Sequence, residues 1–180
     1  MSDFSFTPAS EGEQIVFGAQ RPGYNSRPVD PSDIQEWISY MKAQGIERVC
    51  CLLPQSQLKY YEVDLLNTYR KEFGQDNVCW APIEDFRLCK TAILKEQILP
   101  FLKDSDIKGK RVVVHCSGGS GRTGHVLAAW LVFKRGFCEQ EAVVAVRKMG
   151  RNPYEAVNRG NATKEELDEL LQQCRKSNVA

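Results

Sequence analysis

VVVHCSGGSGRTGHVLAAWLVF, residues 112–133, changes character twice. Arg111 to His115 is β-branched and reads as a buried strand. Cys116 follows, then five small residues, three of them glycine. Beyond Arg122-Thr123-Gly124, the residues Val126, Leu127, Trp130, Leu131 and Lys134 recur at helical spacing. Arg135-Gly136 supplies a basic last turn and a stop. The segment therefore reads as strand, tight loop, helix. Its loop lies at the carboxyl end of a strand, where open α/β sheets bind their ligands.

The loop composition suits an anion. Gly118, Gly119 and Gly121 lack a Cβ, so the chain can curl and aim successive backbone N–H groups inward. The helix start adds its own unpaired N–H groups and the positive end of its dipole. Arg122 contributes a planar fork that matches two phosphate oxygens. Ser117, Gly118, Gly119, Ser120, Gly121 and Arg122 are thus the candidate phosphate-binding set. Cys116 lies at the base of the cradle, where the same groups favour thiolate over thiol. A thiolate beside a bound phosphate is placed to attack phosphorus and form a cysteinyl phosphate. The alternative is a glycine-rich turn with an inert buried cysteine. No Gly-Lys-Ser/Thr occurs, so this is not a Walker loop.

HCSGGSGRTG resembles the signature loop of the cysteine-dependent protein-tyrosine phosphatase superfamily, and its Gly119 and Arg122-Thr123-Gly124 match the dual-specificity branch. The likeness covers roughly Ile15 to Val157 and implies the phosphatase-like α/β fold. It also implies an aspartate general acid about thirty residues before the cysteine. In NVCWAPIEDFRLCK, Asp85 stands 31 residues before Cys116, with Glu84 as the competing carboxylate. By the same resemblance Thr123 hydrogen-bonds the cysteine sulfur and His115 braces the loop. A water-positioning residue is expected in MGRNPYEAVNRGN. Glu155 lies at about the right distance but is charged, and Asn152 and Asn158 are alternatives. Some relatives protect the nucleophile with a disulfide. Cys50, Cys51 and Cys89 are the candidates here, against the plainer reading of buried strand cysteines as small hydrophobes. No cofactor or metal is implied.

The expected activity is hydrolysis of phosphotyrosine in proteins, with phosphoserine and phosphothreonine as further substrates. The same chemistry on a phosphoinositide, an inositol phosphate or an RNA 5′ phosphate is the second reading. A non-catalytic phosphate-binding module is the third. The loop has no lysine of the kind lipid-acting relatives carry, and Gly121 stands where RNA-processing relatives often have asparagine.

Composition sets the frame. A 180-residue chain, 42% hydrophobic and 26% charged, has room for one globular core. A net charge of +1 gives no bulk case for nucleic acid or an anionic membrane. No apolar run is long enough to span a bilayer, so membrane insertion is not expected. No basic flank and apolar segment mark a secretory signal. Seven cysteines without metal spacing favour a reducing, cytoplasmic setting. Oligomeric state is left open.

Along the chain, residues 1–13 are polar and aperiodic and read as a flexible N-terminus, and 14–180 as one catalytic domain. QIVFGAQ reads as the first strand. Asp30-Pro31 starts a helix whose stripe is Ile34, Trp37, Ile38 and Met41. ERVCCLLP is the next strand, Leu58–Phe73 a helical or mixed connection, and Asn77–Ile83 the strand before the acid loop. Ala92–Leu102 reads as a helix interrupted by Pro100, and Glu139–Met149 as another. Thr163 with Glu166 forms a capping box for a last helix carrying Leu167, Leu170, Leu171 and Cys174. Arg21, Tyr24 and Arg27 read as a solvated loop, with a border of the pocket as the alternative, and Arg87, two residues after the acid, is a candidate to bind a second charged group. Alternating strands and helices argue an α/β sandwich: a central, largely parallel sheet flanked by helices.

Overall fold

The computed structural model describes residues 3–176. Met1, Ser2 and residues 177–180, the outer ends of the two expected regions, lie outside the described residues. Five strands form one sheet: β1 (Thr7–Pro8), β2 (Val16–Ala19), β3 (Ile46–Cys51), β4 (Val78–Trp80) and β5 (Arg111–His115). Their order is β1-β2-β5-β3-β4. The four strands from β2 to β4 run parallel, and only β1 is antiparallel. The expected largely parallel sheet is therefore present, and β5 lies at its centre.

Helices cover both faces, as a parallel sheet requires. On one face lie α1 (Pro31–Ala43), α2 (Gln55–Leu58) and α3 (Leu65–Phe73). Ile34, Trp37, Ile38 and Met41 of α1 meet Leu65, Tyr69 and Phe73 of α3 there. On the other face lie α4 (Thr91–Ile93), α5 (Leu99–Lys108), α6 (Gly121–Lys134), α7 (Glu139–Lys148), α8 (Glu155–Asn158) and α9 (Lys164–Lys176). The period-2 alternation of β5 sends Val112, Val114 and Cys116 to the second core and Val113 to the first. Every residue of α6 from Gly121 to Phe133 is buried, because the sheet, α5, α7 and α9 all pack against it. Its apolar face is therefore wider than the stripe read from spacing.

Local differences have local causes. The ladder of β4 stops at Trp80, where Ile83 was expected. Pro82 has no N–H, yet the extended chain still donates from Ala81 to Cys51 O and from Ile83 to Leu52 O. The connection 58–73 is helical only from Leu65, as α3, with α2 ending at Leu58 and Asp64 Oδ1 accepting from Asn67 N at 2.9 Å as the cap of α3. Pro100 does not interrupt the 91–108 helix. A π turn over Leu94–Ile98 joins α4 to α5 instead and absorbs the missing donor. The capping box stands as expected, with Glu166 N donating to Thr163 Oγ1 and Glu166 Oε2 accepting from Thr163 N. Among the described residues no helix is long and apolar enough to cross a membrane.

The segment 3–13 departs from the expected flexible terminus. Thr7 and Pro8 pair with Gly18 and Phe17, and Phe4 and Ala9 are buried. Glu13 is buried too and anchors the segment to Arg135 at the end of α6, Oε2 to Nε 2.8 Å and Oε1 to Nη2 3.0 Å. Glu13 Oε1 also accepts from the amides of Ile15 and Val16. Burial opposes its ionisation, but the Arg135 and amide bonds outweigh burial and hold the carboxyl below its usual range. Glu13→Gln is expected to lower unfolding free energy by about 2 kcal/mol, the scale of hydrogen bonds to a buried charged group. Asp168→Asn, which breaks the exposed Lys164–Asp168 pair, is expected to change it by under about 0.5 kcal/mol. Urea denaturation of the two variants checks the contrast.

Candidate active site

The loop leaves β5 at His115 and enters α6 at Gly121, as the sequence places it. Gly119 has φ +71°, and a Cβ there would lie 2.6 Å from Ala19 O. No other residue type fits both conditions. The amides of Ser117, Gly118, Gly119 and Ser120 donate to no group among the described residues, whereas the carbonyls of Ser117, Gly119 and Ser120 are engaged. Arg21 N donates to Ser117 O at 2.9 Å, and Arg21 Nε to Ser117 Oγ at 3.2 Å. Arg151 Nη1 donates to Gly119 O. Ser120 O accepts from Gly124 N at 2.8 Å, and Ser120 Oγ from Asn152 N at 3.2 Å.

Cys116 is 2% exposed at the base of this loop. His115 braces it from below. A carbonyl only accepts, so Nδ1–H donates to Cys116 O at 2.9 Å. Nε2 therefore accepts from the Tyr69 hydroxyl at 3.0 Å. Burial, with Arg21 and Arg122 nearby, pushes the His115 imidazole down to about 4, so the ring is neutral.

Arg122 is buried and ties three elements together. Its Nη1 donates to Gln57 Oε1 at 2.7 Å and to Ile83 O at 3.1 Å. Its Nη2 lies 3.1 Å from Asp85 Oδ1. Gln57 Nε2 donates to Asp85 Oδ2 at 3.1 Å, so Arg122, Gln57 and Asp85 close a ring of bonds. Glu84, the competing carboxylate, is exposed and makes no side-chain bond to this ring. The next residue, Phe86, has φ +58°, an uncommon conformation for a bulky residue. Arg159 stacks over its ring at 4.2 Å, and Asn161 Nδ2 donates to its carbonyl at 3.0 Å.

The three candidates of the later loop separate. Asn152 Nδ2 donates to Asn158 Oδ1 at 3.0 Å, and Asn152 Oδ1 accepts from Tyr154 N at 3.1 Å, so these amides bond within their own loop. The Glu155 carboxylate instead occupies the space a Cβ on Gly121 would take, directly against the phosphate loop. Thr123 does not make the bond expected to the Cys116 sulfur. Its Oγ1 is buried with no partner among the described residues. Cys50, Cys51, Cys89 and Cys116 are all free thiols. Burial pushes the thiols of Cys51 and Cys89 up to about 12.

Two contributors, Gln57 and Arg151, carry no sequence mark. Gln57 sits in PQSQL, without motif or period. Arg21 was read as solvated but is fully buried, its guanidinium bonded to the carbonyls of Pro22, Gly23 and Tyr24. Arg151 is 4% exposed and adds bonds to Ser5 O and Thr7 Oγ1, both 2.9 Å. Burial lowers it to about 10. Tyr24 brings its hydroxyl within 3.4 Å of where a Gly118 Cβ would stand, so it borders the loop. Arg27 stacks on Tyr60 at 4.2 Å and stays exposed. Arg87 makes no side-chain bond to the ring formed by Arg122, Gln57 and Asp85.

A family model described as Tc-R-P, polymorphic toxin system, DSP-PTPase phosphatase, matches residues 24–136. Over 44 residues the chain is 39% identical to a protein named tyrosine-protein phosphatase cdcA of Emericella nidulans, covering 24% of this chain and 7% of that protein. Over 51 residues it is 47% identical to the uncharacterized protein MJ0215 of Methanocaldococcus jannaschii, 28% of this chain and 31% of that one. These matches therefore span about a third or less of each relative's length. The crystal structure of Tk-PTP in the active form superposes with a TM-score of 0.67 at 26% identity, over 96% of this chain and 97% of that one.

The two neutral imidazoles give a pH dependence. His125, like His115, is buried and lowered to about 4, and these are the chain's only histidines. In the unfolded chain both take up protons as pH falls through about 6.5. The folded chain does not follow until near 4, so the unfolded state gains and stability falls across that window. Unfolding free energy is expected to drop between about pH 6.5 and 4, more steeply in the wild type than in variants lacking either ring. NMR should show both rings still neutral at about pH 5.5.

Proposed function

This chain belongs to the Tc-R-P family of DSP-PTPase phosphatases, and on that premise we propose that it hydrolyses phosphomonoesters through a cysteinyl-phosphate intermediate, with phosphotyrosine in proteins as the leading substrate. The observation that carries this reading is the pairing of two features. The four loop amides that follow Cys116 are uncommitted, and Arg122 is paired with Asp85.

In the first step the Cys116 thiolate attacks phosphorus and an S–P bond forms. The amides of residues 117–121 and the Arg122 fork stabilise the charge on the equatorial oxygens. The bond to the leaving oxygen breaks, and Asp85 gives that oxygen its proton. Asp85 is then ionised and takes a proton from water as the water attacks phosphorus. The S–P bond breaks, releasing phosphate and restoring the thiolate. Glu155, against Gly121, is the residue proposed to orient that water. The unpartnered Thr123 hydroxyl is a donor available to the departing sulfur, and the His115–Tyr69 relay keeps the Cys116 carbonyl turned away from the nucleophile. A single catalytic domain working in the cytoplasm, where thiols stay reduced, completes the proposal. Phosphoserine and phosphothreonine remain in the substrate set. The aromatic border at Tyr24 and the lysine-free loop support a protein substrate over an inositol lipid.

Cys116→Ser is expected to abolish turnover while keeping oxyanion binding, and rapid quench of the wild type is expected to trap phosphate on Cys116. Turnover by the serine variant within about tenfold of wild type would overturn the covalent route. Asp85→Asn is expected to lower kcat/KM for phenyl phosphate by about 10²–10⁴-fold. Its effect on a strongly activated aryl phosphate, whose leaving group departs without a proton, is expected to be far smaller. Glu84→Gln serves as the control and is expected to leave both rates near wild type.

A further inference from the structure

The acid loop and the phosphate loop belong to different crossover units, and the proposed chemistry needs Asp85 held at a fixed height over Cys116. The ring of Arg122, Gln57 and Asp85 fixes the carboxylate itself. Four residues later, Cys89 brings the same loop back into the protein, where His125 meets it.

His125 is buried on the first turn of α6. Its Nε2 lies 2.9 Å from the backbone nitrogen of Cys89, and its Nδ1 3.0 Å from Gly121 O. An amide N–H can only donate, so Nε2 is the bare nitrogen. The proton then sits on Nδ1 and is donated to a carbonyl, which can only accept. One neutral tautomer satisfies both partners. Protonation would set Nε2–H against N–H, the other neutral tautomer would also leave Gly121 O facing a bare Nδ1, and a flipped ring would put carbon at both partners. The imidazole is therefore a strut of fixed length between the end of the phosphate loop and the far end of the acid loop. Other anchors of the acid loop beyond Asp85, Arg159 on Phe86 and Asn161 on its carbonyl, come from exposed residues.

We infer that His125 is a positioning residue for general-acid catalysis: by bridging Gly121 O and Cys89 N–H it sets where the acid loop, and with it Asp85, stands over the phosphate loop. This rests on the reading of Asp85 as the acid. The strut itself is a separate physical claim, with its own measurement.

The test uses His125→Phe, which keeps ring volume and loses both bonds, and His125→Gln, whose amide can accept from Cys89 N–H and donate to Gly121 O. In the full-length chain, hydrogen exchange at the Cys89 amide is expected to accelerate about tenfold or more in the phenylalanine variant and little in the glutamine variant. A long-range nitrogen NMR spectrum of the wild type is expected to show Nδ1 protonated and Nε2 bare. With phenyl phosphate, His125→Phe is expected to lose about 10–100-fold in kcat/KM, a share of what general-acid catalysis supplies. With a strongly activated aryl phosphate it is expected to lose under about threefold. His125→Gln restores most of the phenyl phosphate rate. In an Asp85→Asn background, His125→Phe adds little further loss, because the two act through one step.

An equal loss on both substrates overturns the inference and makes His125 a packing residue of the phosphate loop. Unchanged exchange at Cys89, or the opposite tautomer, overturns it without any assay of activity. If Asp85→Asn shows no leaving-group dependence, the acid assignment fails, while the exchange and NMR results still report whether the strut exists. If His125→Phe does not fold, the glutamine variant and the wild-type spectrum decide.

Discussion

An anion cradle made of main chain must turn its amides one way, and peptide geometry then turns the carbonyls the other. Those carbonyls are buried here and need donors. The loop after β5 meets that need almost residue by residue. Cys116 O takes a proton donor from His115, Ser117 O from the Arg21 amide, Gly119 O from Arg151, Ser120 O from Gly124 and Gly121 O from His125. The donors come from β5 itself, the chain after β2, the loop after α7 and the first turn of α6. The packing of both sheet faces thereby converges on one short turn, and the uncommitted amides are its product.

Two of these donors are arginines without a carboxylate in salt-bridge range among the described residues. A buried cation held only by carbonyls and hydroxyls is a poor arrangement for stability alone. It is a suitable one beside a site that must hold negative charge. Arg151 sits close enough to Cys116 for their charges to interact, and Arg21 pins Ser117 from the opposite side while lying over the rings of Tyr60 and Tyr61. The loop thus works in a positive field set from outside it as well as by Arg122 within it.

Much of this could be read in advance because it is local. The β-branched run of β5, the glycines, the helical spacing of α6 and the Thr163–Glu166 cap each depend on neighbours in sequence. Asp85 is marked out by its spacing from Cys116, and its carboxylate lies 3.1 Å from Arg122 Nη2. Gln57, Arg151 and His125 were not legible, because each meets a partner far along the chain, the side chains of Arg122 and Asp85 for Gln57 and backbone groups for the other two, and no local pattern marks them. The segment 3–13 was misread for the same reason. Phe4, Ala9 and Glu13 look isolated among polar residues, yet each meets a remote surface. Pro100 predicts an interruption, and the π turn over Leu94–Ile98 that accommodates it is a backbone feature the residue pattern does not mark.

The two-residue strand β1 covers the outer edge of β2, so it decides what that edge of the sheet can touch. Without it, the backbone groups of Val16–Ala19 would be open to another chain, the usual route to edge-on association. With it, the outermost strand ends in Pro8, which has no N–H to offer a newcomer. The same segment supplies the Ser5 and Thr7 oxygens that hold Arg151 behind the phosphate loop. Protection of the sheet edge and the shape of the turn after β5 therefore share one short stretch of chain, and trimming it would expose the protein to both losses together.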